Sequence, residues 1–238
     1  MCAWLPSPTH ADPLASHRIS CPSLCDHRRR GGLVSDRLDM SDRLKLRTSD
    51  DLTLEARWDS AQDAKAAIVF CHAHPHQGGS MNNPLMIAVT LGLVEHGFSV
   101  LRFNFRGTGE SSGEHDFGNG ELLDIDSAHA EAVATGLPVG IAGWSFGAGT
   151  SLRWISERSH SLAWVGIAPA GEYLPDKIPS GPKRIVMGTR DQVIDSQAVV
   201  EYAATHSVDV VLTPGDHFFH GRGKRIGNLV AQGFAEIS

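Results

Sequence analysis

Leu44 and Leu46, then Leu52, Leu54, Ala56 and Trp58, alternate with polar residues on either side of Ser49-Asp50-Asp51. A period of two on both flanks of a turn-forming triplet predicts an antiparallel hairpin. The pattern then changes. Ala66 to Cys71 is continuously apolar, as expected of a strand covered on both faces. Residues 84–96 take helical spacing, with Pro84 in the first turn and Gly97 just past the end. Phe98–Phe105, Val139–Ala142, Leu162–Ala168, Arg184–Met187 and Val208–Leu212 read as further strands. Helices are predicted over 120–135, where Leu122, Ile125, Ala128 and Ala132 recur on one face, and over 146–157, about 195–205 and 222–236.

An antiparallel start followed by repeated strand–helix units predicts an α/β fold. Its sheet would be mostly parallel and twisted, of about 7–8 strands, with helices on both faces. In such sheets ligands bind beyond the carboxyl ends of the strands, so chemistry is sought in the loops that follow them. No internal repeat and no second domain is visible, and residues 41–238 read as one domain. Residues 1–40 differ: they are rich in Pro, Ser, His and Arg and carry no helix or strand period, the composition of a disordered extension. Arg28-Arg29-Arg30 invites an export-signal reading, but charges end any apolar region before it begins. Patterned sequence starts at Met40, which suggests that the native protein begins there.

Composition narrows the function classes. The 238 residues are 41% hydrophobic and 20% charged, with a net charge of -6. That balance supports a large core and gives no basic excess for nucleic acid. No apolar run is long enough to span a membrane. Of the four cysteines, Cys2, Cys21 and Cys25 lie in the irregular segment and Cys71 in a strand. This is no disulfide framework and suits a reducing cytoplasm. Cys21, Cys25 and His27 make a weak zinc motif with no fourth ligand at good spacing.

The predicted strand ending at Ala142 runs into Gly143-Trp144-Ser145-Phe146-Gly147 and then a helix. G-x-S-x-G alone is common; between a buried strand and a helix it is a nucleophile elbow. Ser145 would sit at the tip of a strained turn, and a side chain two residues to either side would meet neighbouring backbone. The N–H of Phe146, at the positive end of the helix, can face a developing oxyanion. A serine hydroxyl needs a base, and in this arrangement the acid and the base follow the serine in that order. Asp191 lies in the loop after the strand ending at Met187, with Asp195 as a rival that better suits a helix cap. His217 follows the last strand through Gly215-Asp216, with His220 as its rival.

The first buried strand leads into His72-Ala73-His74-Pro75-His76-Gln77-Gly78-Gly79-Ser80. A second oxyanion donor belongs in this loop. Pro75 has no N–H, so His76 is the first candidate and Gln77 the second, with Gly78 and Gly79 letting the backbone pass close to a substrate. His72, His74 and His76, at every second position, could instead share a face and hold zinc, although Pro75 breaks a straight strand. A plainer role for His72 and His74 is to orient the loops. Arg106 could bind an anionic substrate but is better placed to tie loops together through backbone carbonyls. Asp116 and Glu121 would order the same loop and cap the helix that follows.

"HAHPHQGGSMNNP", "RFNFRGTGESSGEHDFGNGE", "GWSFGAG", "GTRDQVI" and "GDHFFHG" together resemble the α/β-hydrolase superfamily over residues 43–236. They look most like the small bacterial branch related to dienelactone hydrolase. That resemblance implies the α/β-hydrolase fold and a Ser145–Asp191–His217 triad. Dienelactone hydrolases carry a cysteine nucleophile, so lactone hydrolysis does not transfer to Ser145. Asn104 stands where many members have Asp. Only Pro169 to Pro182 separate the strand ending at Ala168 from the next, which leaves room for a minimal cap or none and for a shallow pocket walled by Trp144, Phe146 and Tyr173. The expectation is a cytoplasmic serine hydrolase of small acyl esters or thioesters that uses no cofactor and binds neither nucleic acid nor membrane. The competing readings are a non-catalytic binding protein of the same fold and a zinc hydrolase built on His72, His74 and His76.

Overall fold

Strands β1 (Ser41–Arg47) and β2 (Thr53–Asp59) pair antiparallel, with Leu46 opposite Leu54 and Leu44 opposite Ala56. Leu46, Leu54 and Ala56 are buried, so the alternation in the sequence marks the face that packs inward. The turn is closed by Thr48, whose Oγ1 accepts the Leu52 N–H at 2.9 Å and donates to Asp50 at 2.6 Å. The computed structural model describes residues 41–235. The expectations for residues 1–40, including the start at Met40 and the zinc motif at Cys21, Cys25 and His27, lie outside the described residues.

The hairpin is one edge of an eight-stranded sheet in the order β1-β2-β4-β3-β5-β6-β7-β8. β3 (Ala66–Cys71), β4 (Phe98–Phe103), β5 (Val139–Trp144), β6 (Ala163–Ile167), β7 (Lys183–Gly188) and β8 (Asp209–Thr213) are mutually parallel, and β2 meets β4 antiparallel. β3 and β4 are buried at every position, as strands covered by helices on both faces must be. The covering helices are α1 (Pro84–Glu95), α2 (Glu121–Ala134), α3 (Phe146–Glu157), α4 (Ser196–Thr205) and α5 (Gly223–Gly233). α1 packs on α5, and α2 on α3. The ends are capped locally: the Asn83 side chain accepts the Leu85 N–H before Pro84, and Asp195 accepts the N–H groups of Gln197 and Ala198.

Strands β6, β7 and β8 lie within one residue of their expected ends, and two strand boundaries differ by two residues. β4 stops at Phe103 although Phe105 is buried. The chain leaves the sheet there because the Arg106 N–H turns to the Asp124 carboxylate and the Phe105 N–H to the His72 ring. β5 continues past Ala142 to Trp144, because Gly143 and Trp144 pair with Gly166 and Ile167 of β6. Between β6 and β7 lies one 3₁₀ turn, Gly171–Tyr173, and no cap. No described helix is long and apolar enough to cross a membrane.

Candidate active site

Ser145 sits between β5 and α3 with φ 54° and ψ −115°, a conformation that strains any residue with a Cβ. Backbone hydrogen bonds hold it there: its N–H donates to Ile167 at 2.8 Å, and its carbonyl accepts from Ala148, Gly149 and Ala170 at 3.1 Å each. The flanking glycines are required by contact. A Cβ on Gly143 would stand 2.5 Å from the Ala148 nitrogen, and one on Gly147 2.5 Å from the Cys71 carbonyl oxygen. The side chain of Ser145 is thereby lifted off the carboxyl end of the sheet, at the N-terminus of α3.

His217 Nε2 lies 3.1 Å from Ser145 Oγ, and His217 Nδ1 lies 2.9 Å from Asp191 Oδ2. A carboxylate only accepts, so the proton of a neutral ring belongs on Nδ1 and leaves Nε2 to accept from the serine hydroxyl. The other Asp191 oxygen accepts the N–H groups of Val193 and Ile194 at 2.9 Å each. The Asp191 carboxylate is fully buried. Burial acts to raise its pKa, but the hydrogen bonds from His217, Ile194 and Val193 outweigh it and hold the carboxyl below its ordinary value. The two rivals are engaged elsewhere. Asp195 caps α4, and His220, exposed, pairs with Asp216 at 3.0 Å.

The loop after β3 departs from expectation. Pro75–Gln77 wind into a 3₁₀ turn capped by His74. Within it the His76 N–H donates to His74 Nδ1 at 3.2 Å and the Gln77 N–H to the His74 carbonyl at 3.0 Å. Neither N–H is available to a ligand, so neither residue is the donor sought. The N–H of His74 itself makes no hydrogen bond among the described residues. His74 also lines, with Ser145, Phe146, Gln77, Tyr173 and Ile194, a hollow of about 180 Å³. The sequence signal that could have found it was proline: Pro75 at the start of a 3₁₀ turn spends the following N–H groups on the turn itself.

Three expected pocket residues lie outside this hollow. Trp144 is buried behind the histidine loop, where its indole N–H donates to the His217 carbonyl at 3.3 Å. Gly78 closes the 3₁₀ turn at φ 81°, and a Cβ on Gly79 would run into the Ala73 carbonyl. Both glycines fold the loop onto itself and do not face a substrate.

Among the described residues, His72, His74 and His76 do not come together as a group that could hold a metal ion. Both ring nitrogens of His72 are committed: Nδ1 donates to the Ala73 carbonyl at 2.6 Å and Nε2 accepts the Phe105 N–H at 3.0 Å. Burial pushes its pKa down to about 4, so the ring stays neutral and fastens two active-site loops. His74 and His76 instead turn toward His115, with ring centroids 4.6 and 4.8 Å from it. His115 Nδ1 is 2.6 Å from Glu121.

Arg106 is structural, but through carboxylates and not the expected carbonyls. Its guanidinium meets buried Asp124 at 2.8 and 3.0 Å and Asp50 at 3.0 Å. Glu121 accepts the N–H groups of Asp116 and Gly118, and Asp116 accepts that of Gly120, which orders the loop as expected, but α2 starts after its N-cap Gly120 without the expected side-chain cap. Asn104 accepts the Met81 N–H and donates to Glu55 at 2.7 Å. An aspartate there would oppose the Glu55 carboxylate.

No family model matches the chain. An uncharacterized protein of Rickettsia prowazekii is 29% identical over an alignment of 199 residues that covers 74% of this chain and 82% of that protein. A lidless α/β serine hydrolase from Xanthomonas campestris superimposes with a TM-score of 0.74 at 29% identity, over 82% of this chain and 93% of its own. An α/β serine hydrolase homologue from Coxiella burnetii gives 0.74 at 28% identity, over 82% and 97%.

Proposed function

We propose that this member of the α/β-hydrolase superfamily cleaves carboxylic esters or thioesters through an acyl-enzyme on Ser145. The observation that carries the reading is the continuous line from Ser145 Oγ through His217 to Asp191, at 3.1 and 2.9 Å. Ser145 attacks the acyl carbonyl while His217 Nε2 takes its proton. His217 then protonates the leaving oxygen or sulfur, and in the second half-reaction takes a proton from water as the acid is released. Asp191 holds the ring in the competent tautomer and stabilises the imidazolium. The oxyanion is received by the N–H of Phe146 and the free N–H of His74, each worth about 3 kcal/mol of barrier. The likeness to serine hydrolases at 28–29% identity supports the same reading.

A fluorophosphonate probe tests it. The wild-type protein takes up the probe at Ser145 and hydrolyses 4-nitrophenyl acetate; Ser145→Ala, with an unchanged far-UV spectrum, does neither. A folded wild type that remains unlabelled identifies a binding protein of this fold in place of an enzyme.

A further inference from the structure

The nucleophile's hollow is too small to hold much beyond the reacting atoms. At about 180 Å³ it has the volume of roughly six waters. That is room for the reacting carbonyl and a short run of acyl carbons. It shares a wall with a second space. Gly171, Glu172, Val193 and Ile194 line both the hollow and a second, larger groove of about 440 Å³, whose wall continues over Leu174, Val199 and Tyr202. This groove runs between the 3₁₀ turn after β6 and the first turns of α4.

Its lining has a definite chemistry. Val199 is buried at the base, while Val193 stands 53% exposed at the junction, an apolar side chain in water where the two spaces meet. The Tyr202 hydroxyl is turned away, donating to the Pro175 carbonyl at 2.8 Å, so the ring presents carbon to the groove. Charged side chains lining the two spaces are Glu172 and Asp195; no lysine or arginine lines either. Ser145, Phe146 and His74, which meet the carbonyl in the proposed mechanism, line the hollow, while His217 reaches Ser145 Oγ through Nε2 at 3.1 Å. A leaving group must meet His217 to be protonated. The part of the substrate that enters the hollow and the groove is therefore the acyl part.

We propose that this groove is the acyl-chain subsite, and that the preferred substrates are esters of uncharged acyl chains longer than butyrate, reaching past Val193 and Ile194 toward Tyr202. The inference rests on the hydrolase reading above and extends it from the reacting carbonyl to the chain behind it. Beyond butyrate, each further methylene leaves water for an apolar wall and raises kcat/KM about fourfold. An acyl chain that ends in a carboxylate meets Glu172 and Asp195 with no cation opposite and is cleaved about tenfold more slowly than a neutral chain of the same length.

Two ester series separate acyl from alcohol recognition: 4-nitrophenyl esters from acetate to decanoate, and acetates of alcohols from methyl to octyl. Ala198 lines the groove at an exposed position of α4, where a larger side chain fits without disturbing the core. Ala198→Phe fills the groove and lowers the octanoate-to-acetate ratio of kcat/KM by roughly tenfold, the worth of about two methylenes. It moves the acyl slope and not the alcohol slope. Ala198→Leu gives a smaller shift in the same direction. An acyl profile that peaks at acetate, or a variant that changes the alcohol series instead, overturns the proposal while leaving the hydrolase reading intact. No turnover of any ester, with Ser145 unlabelled by a short-chain fluorophosphonate, takes down both.

Discussion

Replacing Asp191 by asparagine alters one atom's hydrogen-bonding sense at the centre of the site. The amide oxygen so introduced can still accept the N–H groups of Val193 and Ile194, at 2.9 Å each in the parent, so the loop keeps its shape. The amide nitrogen replaces Oδ2, 2.9 Å from His217 Nδ1. A donor now faces a donor, and the ring relieves the clash by moving its proton to Nε2. That nitrogen then faces Ser145 Oγ and can no longer accept from it. Returning to the active tautomer leaves two buried donors unpaired, at a cost of about 2 kcal/mol. The imidazolium of the transition state also loses its counter-charge. Together these bring the loss to about 10⁴-fold in kcat, or roughly 5 kcal/mol. Steady-state hydrolysis of 4-nitrophenyl butyrate measures the loss, with thermal unfolding as the control for structure. An Asp191→Asn protein that melts as the parent does and keeps more than a tenth of its kcat refutes the role assigned to Asp191.

Two further predictions concern the loops that carry the site. Arg106→Ala leaves Asp124, which is fully buried, without its guanidinium and destabilises the protein by about 3–5 kcal/mol in urea unfolding at pH 7.5; a loss below 1 kcal/mol contradicts the structural role. His72 is neutral in the folded protein, its pKa pushed down to about 4 by burial, against an ordinary value of 6.5. The unfolded chain therefore binds the extra proton between these pH values, and stability falls as pH is lowered from 6.5 to 4, by about 3 kcal/mol in all. His72→Gln, which keeps one donor and one acceptor, flattens that part of the pH profile; an unchanged acid slope assigns the effect to other groups.

Much of this molecule is legible in its sequence, for reasons that can be named. Strand β3 and helix α3 match their predicted residues because an unbroken apolar run and a glycine-flanked turn each admit one arrangement. β5 reads two residues short because glycine carries no strand signal, although Gly143 is held in the ladder by its neighbour. β4 reads two residues long because a buried phenylalanine looks the same in a strand and in a loop that turns inward. The placement of Asp191 and His217 beside Ser145 follows from chain order and strand ends. The oxyanion loop resists such reading because it depends on which N–H groups a 3₁₀ turn consumes. Trp144 reads as a pocket wall and is not one, because side-chain direction at the end of a strand is set by the packing of the next loop. The carboxylates around Arg106 are separated from it by 18 and 56 positions, and no local pattern announces them.

The fourteen-residue passage from Pro169 to Pro182 carries one 3₁₀ turn and nothing that could shut over Ser145. Enzymes that close over their substrates expel water and often wait for the closing segment to reopen. Between β6 and β7 there is no such segment. Turnover should follow bond making and breaking and not the motion of a gate. In the proposed mechanism, water reaches the acyl-enzyme carbonyl on Ser145 without any segment between β6 and β7 having to move. The absence of a cap among the described residues thus bears on the proposed chemistry: ready access of water favours hydrolysis of an acyl-enzyme over its transfer to a second alcohol.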